Sequence, residues 1–224
     1  VYKRQTPDVN TTSACEHTIA LMLTLSRNIS LGDQSIKIGN WNRNQLIGTE
    51  LRSKTIGIIG MGKIGRELMK RCLSFDMKIL AYDPYVNKDL IESENVVLVS
   101  LDDLFSNSDF ISTHVPLNDN TRNLINKESF SLMKSSVRII NVARGGIINE
   151  QDLADALKKN KIAGAAIDVF SKEPIETNNP LINAPNVILT PHLGASTEEA
   201  KKGVSTAICK LSLIHISEPT RLSV

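Results

Sequence analysis

Three side chains that could hold an anion or move a proton follow apolar runs in the second half of the chain. They are Arg144 in Asn141-Val-Ala-Arg144-Gly-Gly146, Glu173 in Asp168-Val-Phe-Ser-Lys-Glu173-Pro174, and His192 in Pro191-His192-Leu-Gly-Ala-Ser-Thr197. Imidazole titrates near neutral pH, so His192 could take a proton and return it. A carboxylate beside it fixes the tautomer and favours imidazolium. Arginine offers a planar, always-charged fork that matches a carboxylate. Each residue has a plainer reading by itself: a structural ion pair, a loop residue before proline, a satisfied histidine. Their joint placement at the ends of apolar runs points to a site, because ligands of open α/β sheets bind at the carboxyl ends of strands.

Upstream lies Gly60-Met-Gly62-Lys63-Ile64-Gly65. The pattern is weak alone, but here it follows the strand-like run Thr55-Ile-Gly-Ile-Ile59 and opens a helical segment. In that context Gly60 permits the tight turn, Gly62 lets the backbone approach a pyrophosphate, and Gly65 allows close helix–strand packing. The helix N-terminus offers N–H groups and a positive dipole end to the phosphates. A second apolar run ends at Ala81-Tyr82-Asp83-Pro84. Asp83 stands about 20 residues past the glycines, where an acid bonds the adenine ribose. No Arg or Lys follows it closely, which favours NAD over NADP. A nucleotide fingerprint followed by one Arg, one Glu and one His suggests hydride transfer.

These groups need strands and helices to hold them. Residues 55–60, 78–82, 96–99, 109–115, 137–142, 163–169 and 187–189 read as strands. Residues 64–75, 101–105, 127–133 and 151–160 read as helices. Such alternation predicts an α/β fold, a doubly wound parallel sheet of the Rossmann type with right-handed crossovers. Residues 13–29 predict a helix buried on several sides, 32–49 a polar connection containing Trp41, and 197–210 a last helix.

The 224 residues are 41% hydrophobic but only 4% aromatic, which suits buried parallel strands better than base-stacking platforms. Cys15, Cys72 and Cys209 are widely spaced, so no metal site or disulfide framework is expected, and a cytoplasmic location is. No apolar stretch reaches the roughly 20 residues that span a bilayer. The ends carry a separate signal. One codon choice for Val-Tyr-Lys-Arg-Gln at 1–5 has a reverse complement that encodes Leu-Ser-Leu-Ile-His at 211–215. Residues 1–5 and 211–224 are therefore expected to be adapter-derived. They contain Lys3, Arg4 and Arg221 against Glu218, which accounts for the whole formal charge of +2. The remainder is neutral, and neither a nucleic-acid nor a membrane partner is expected.

Residues 6–210 resemble the D-isomer-specific 2-hydroxyacid dehydrogenases. Beside the segments already quoted, the resemblance rests on Asn10-Thr-Thr-Ser-Ala-Cys-Glu-His17, Gly48-Thr-Glu-Leu51 and Pro191-His-Leu-Gly-Ala-Ser-Thr-Glu-Glu-Ala200. It implies that Arg144 holds the substrate carboxylate and keto oxygen, that His192 is the proton acceptor and donor, and that Glu173 is its partner. It implies cofactor contacts at Gly60, Gly62, Lys63, Ile64, Gly65, Asp83, Val115, Val142, Arg144, Asp168, His192, Gly194 and Ala195. Backbone groups would serve at Val115 and Val142, and Asp168 would face the nicotinamide carboxamide. Within the family, the branch that oxidises 3-phosphoglycerate in serine biosynthesis is the nearest likeness. A glyoxylate or hydroxypyruvate reductase is the alternative, and an NAD-sensing binding module a more distant one. The resemblance divides the chain into an interdomain helix and dimer arm (6–48), an NAD-binding domain (49–195) and a helix returning to a substrate-binding domain (196–210). Most of that second domain would be missing. The small-molecule partner would be a phosphorylated 2-hydroxy acid, and the assembly a homodimer or larger homo-oligomer.

Overall fold

The computed structural model describes residues 10–87, 93–203 and 206. Seven strands form one sheet: β1 (Thr55–Ile59), β2 (Lys78–Tyr82), β3 (Val96–Leu98), β4 (Phe110–Thr113), β5 (Arg138–Asn141), β6 (Gly164–Ile167) and β7 (Val187–Leu189). Every pairing is parallel, and the order is β3-β2-β1-β4-β5-β6-β7. The order reverses between β1 and β4, so a crevice opens beyond their carboxyl ends.

Alternate residues along each strand point to opposite faces, and both faces are covered. Ile56 and Ile58 of β1, Ile140 of β5 and Ala166 of β6 join one core with Cys15, Met22, Leu68 and Cys72. Those last four come from α1 (Thr11–Ser26) and α3 (Lys63–Leu73). Ile59, Ile111, Ile139 and Ile167 join the other, with Leu104, Phe105, Phe130 and Leu153. These come from α4 (Leu101–Asn107), α5 (Lys127–Leu132) and α6 (Glu150–Lys158). Burial on both faces is why these strands read as continuous apolar runs.

The strands and the four internal helices lie where the sequence places them, within about two residues at each end. The region after α1 differs. Instead of a helix to residue 29 and a polar connection, α1 stops at Ser26 and Asn28 turns left-handed (φ 53°). A second helix, α2 (Ile29–Lys37), then begins. None of its residues is buried, so it carries no core-facing stripe for the sequence to reveal. Of the predicted last helix, residues 198–203 are helical. The adapter-like segments 1–5 and 211–224 lie outside the described residues. No helix among the described residues is long and apolar enough to cross a membrane, and no cluster there could hold a metal ion.

Candidate active site

The nucleotide fingerprint forms the turn between β1 and α3. Gly60 has φ +98°, and a side chain there would collide with the His114 carbonyl, 2.6 Å from an added Cβ. Gly65 lies closer still: an added Cβ would be 2.1 Å from the Gly60 carbonyl oxygen. At Gly62 the corresponding space is open. Helices α4, α5 and α6 begin with Ser100, Asn126 and Asn149, whose side chains accept backbone N–H bonds. Helix α3 begins with Gly62, which has no side chain to do this, so its first turn faces an open cradle. Such a cradle fits a pyrophosphate. Lys63 and Ile64 are the first residues of α3, and Lys63 is exposed.

Asp83 follows β2 and is bound to the same turn. Its Oδ2 accepts from Met61 N at 2.8 Å, and its Oδ1 from Tyr85 N at 2.9 Å. The acid expected to read a ribose thus also shapes the glycine turn, a link that pattern alone does not reveal.

A cleft of about 840 Å³ lies beyond the strand ends. Of the residues expected to bind cofactor or substrate, Ile64, Val115, Val142, Arg144, His192, Gly194 and Ala195 line it. His192 Nδ1 is 2.7 Å from Glu173 Oε2, so the other ring nitrogen is left for the cleft. Burial would raise the Glu173 carboxyl, but bonds from His192 and Phe170 N, with the His192 charge, hold it below the usual range. The turn before Arg144 is shaped by buried Asn141. Its Oδ1 accepts from Thr113 Oγ1 at 2.9 Å and Ala143 N at 3.0 Å, while Nδ2 donates to the Arg144 carbonyl at 2.9 Å. The Arg144 guanidinium donates to the Ala143 carbonyl at 2.6 Å. It is exposed and pairs with no carboxylate among the described residues, leaving its charge available to an anion.

Asp168, the acid expected beside the nicotinamide, follows β6 and holds the 190–194 turn. It is fully buried beneath the 190–194 turn and does not line the cleft. Its Oδ1 accepts from Thr190 Oγ1 (2.6 Å), Leu193 N (2.7 Å) and His17 Nε2 (3.2 Å), and its Oδ2 from Gly194 N (2.9 Å). Burial alone would raise its carboxyl, but the bonds from His17, Thr190, Leu193 and Gly194 prevail and lower it. The backbone after β6 and the turn after β7 thus close over this one carboxylate.

Among the cleft residues that the sequence did not assign to the site, two are polar. Asn10, before α1, lines it with a buried side-chain oxygen that has no hydrogen-bond partner among the described residues. His114 follows β4, and its Nε2 is 2.9 Å from the buried Ser112 hydroxyl. Burial pushes its imidazole down to about 4, so it is neutral at physiological pH. The only available signal was a histidine at a strand end, which histidine's usual structural role obscures.

This parallel sheet, with its glycine turn and a His–Glu pair at the strand ends, is that of a nucleotide-dependent dehydrogenase. Residues 19–194 match the NAD binding domain of the D-isomer specific 2-hydroxyacid dehydrogenases, and the chain belongs to that family. A D-3-phosphoglycerate dehydrogenase of Archaeoglobus fulgidus is 47% identical over 204 residues, covering 91% of this chain and 39% of the relative. The chain thus spans well under half the length of the curated relatives it matches. Among solved structures, an NAD-dependent formate dehydrogenase from Staphylococcus aureus in complex with NAD superposes with a TM-score of 0.87 at 33% identity. It matches over 96% of this chain and 65% of its own. A D-lactate dehydrogenase from Aquifex aeolicus, complexed with NAD and lactic acid, gives 0.87 at 32% identity, over 94% and 68%. Formate and lactate enzymes fit equally well, so the fold does not select the substrate.

Proposed function

We propose that this chain is the cofactor-binding part of an enzyme that oxidises 3-phosphoglycerate to 3-phosphohydroxypyruvate with NAD. The observation that carries the chemistry is His192, paired with Glu173 and lining one cleft with Arg144. The substrate is favoured by the relatives named D-3-phosphoglycerate dehydrogenase, at 42–47% identity over about nine-tenths of the chain.

NAD, when bound, supplies the hydride acceptor. The fingerprint cradle and Asp83 hold it, with Lys63, Ile64, Val115, Val142, Asp168, Gly194 and Ala195 as the further assigned contacts. Arg144 clamps the substrate carboxylate with its planar fork. His192 accepts the C2 hydroxyl proton on the ring nitrogen opposite Glu173. Glu173 holds the ring tautomer and stabilises the imidazolium as it forms. We further assign a cytoplasmic homodimer, joined through the α2–Trp41 region. There Ile38 is 74%, Trp41 81% and Ile47 82% exposed.

The test is the pH–rate profile of the full-length enzyme with 3-phosphoglycerate. His192→Ala is expected to lower kcat by about 10²–10⁴-fold. Near-wild-type turnover would reject His192 as the base. Activity confined to glyoxylate or hydroxypyruvate would reject the substrate and leave the chemistry standing.

A further inference from the structure

Ser13 and His17 lie four residues apart on α1 and so share one face. Both reach the segment that carries His192. Ser13 Oγ is 2.9 Å from Thr197 Oγ1. His17 Nε2 is 3.3 Å from Thr190 Oγ1, 173 residues away in the chain, and 3.2 Å from Asp168 Oδ1. The Thr190 hydroxyl itself donates to Asp168 Oδ1. Both neighbours of Nε2 therefore act as acceptors, and that nitrogen carries a hydrogen. Asp168 in turn holds the turn around the base. Its carboxylate accepts from Leu193 N and Gly194 N, and its backbone carbonyl accepts from His192 N at 2.9 Å.

That turn needs holding. His192 has φ +55°, a left-handed conformation that a residue with a Cβ keeps only when its surroundings impose it. The anchoring of α1 to the sheet is a separate matter. Cys15, Leu21, Met22 and Leu25 already bury it in the core. His17 supplies a donor where the carboxylate has an acceptor.

We propose that His17 is a positioning residue for the reaction. From α1 it braces the Asp168–Thr190 pair, and thereby keeps the His192 turn in the left-handed form that seats the imidazole against Glu173. It touches neither the cleft nor the reacting atoms. The proposal rests on the proton-transfer role given above to His192. It makes the helix joined to the domain link part of what orients the base.

The experiment uses this chain with ¹³C-labelled glutamate carboxyls, following Glu173 by NMR through a pH titration, with Glu173→Gln for assignment. NADH binding is measured alongside by fluorescence. In wild type the Glu173 midpoint is expected below the usual glutamate range, because burial, which raises it, is outweighed by the bonds from the His192 ring and Phe170 N. In His17→Ala the turn relaxes, and the midpoint should rise toward the ordinary glutamate range. His17→Gln, whose amide nitrogen reaches the same acceptors, should restore it. A folded His17→Ala with an unchanged Glu173 midpoint would overturn the proposal, as would a Gln variant indistinguishable from Ala. If His17→Ala does not fold, Thr190→Val removes the bridging hydroxyl at nearly constant shape, and an unchanged Glu173 midpoint in that variant would overturn the proposal. Failure of wild type to bind NADH would count against the cofactor reading and leave the brace to be judged on Glu173.

Discussion

Asp168→Asn changes one atom in the most heavily bonded carboxylate of the site. Four donors converge on its two oxygens at 2.6, 2.7, 2.9 and 3.2 Å, and the residue is 0% exposed. The amide must place its NH₂ either opposite Gly194 N or opposite Leu193 N, so a donor faces a donor in either rotamer. A buried N–H left unsatisfied costs about 1–3 kcal/mol, and the remaining bonds lose their charge assistance. A total loss of roughly 2–4 kcal/mol follows, or a Tm lower by about 5–15 °C for a chain of this size. The pH dependence has a definite sign. The folded carboxyl lies below its ordinary value, so its stabilisation is complete above the unfolded pKa and is lost as pH falls through the lower, folded one. The gap between wild type and variant must therefore be constant near neutrality and shrink in acid. Urea unfolding of both proteins between pH 7 and pH 3 measures it. Equal stability at pH 7, or a gap that widens in acid, would refute the reasoning.

Other outcomes can be stated briefly. Asp83→Ala should narrow the preference for NAD over NADP, since a 2′-phosphate would no longer meet a carboxylate; calorimetry with both cofactors measures this, and an unchanged ratio contradicts it. Light scattering should show a dimer at micromolar concentration, and Trp41→Glu should dissociate it; a wild-type monomer would sink the assigned interface. On the expectation that 1–5 and 211–224 are adapter-derived, their removal should leave Tm within a few degrees, because translated adapter has no reason to complement this surface. A larger drop would mean that those residues belong to the fold.

Much of the architecture was legible because its signals are local. Runs such as Ile56–Ile59 and Ile139–Ile140 are apolar at successive positions, since both of their faces are covered, and that composition marks buried parallel strands. The glycine turn was legible because Gly60 and Gly65 sit where no side chain fits, a steric demand written into residue type at fixed spacing. Arg144, Glu173 and His192 could be picked out because each follows a strand, and strand ends in such sheets converge. Helix α2 was not legible: with no buried residue, its period answers to nothing in the core.

What only the tertiary structure decided is how distant groups saturate one another. The sequence marks Asp168 as an acid at a strand end. It does not show that His17 and the 190–194 turn take up its oxygens, because hydrogen-bond partners separated by most of the chain leave no spacing to read. It marks Asp83 as a ribose acid, yet not as an acceptor for the Met61 amide. Nor does it distinguish His114, held neutral by burial, from His192, set against Glu173. Residue type determined which chemistry was available. Burial and the directions of neighbouring donors, fixed only when the strands assemble, determined which side chains are free to perform it.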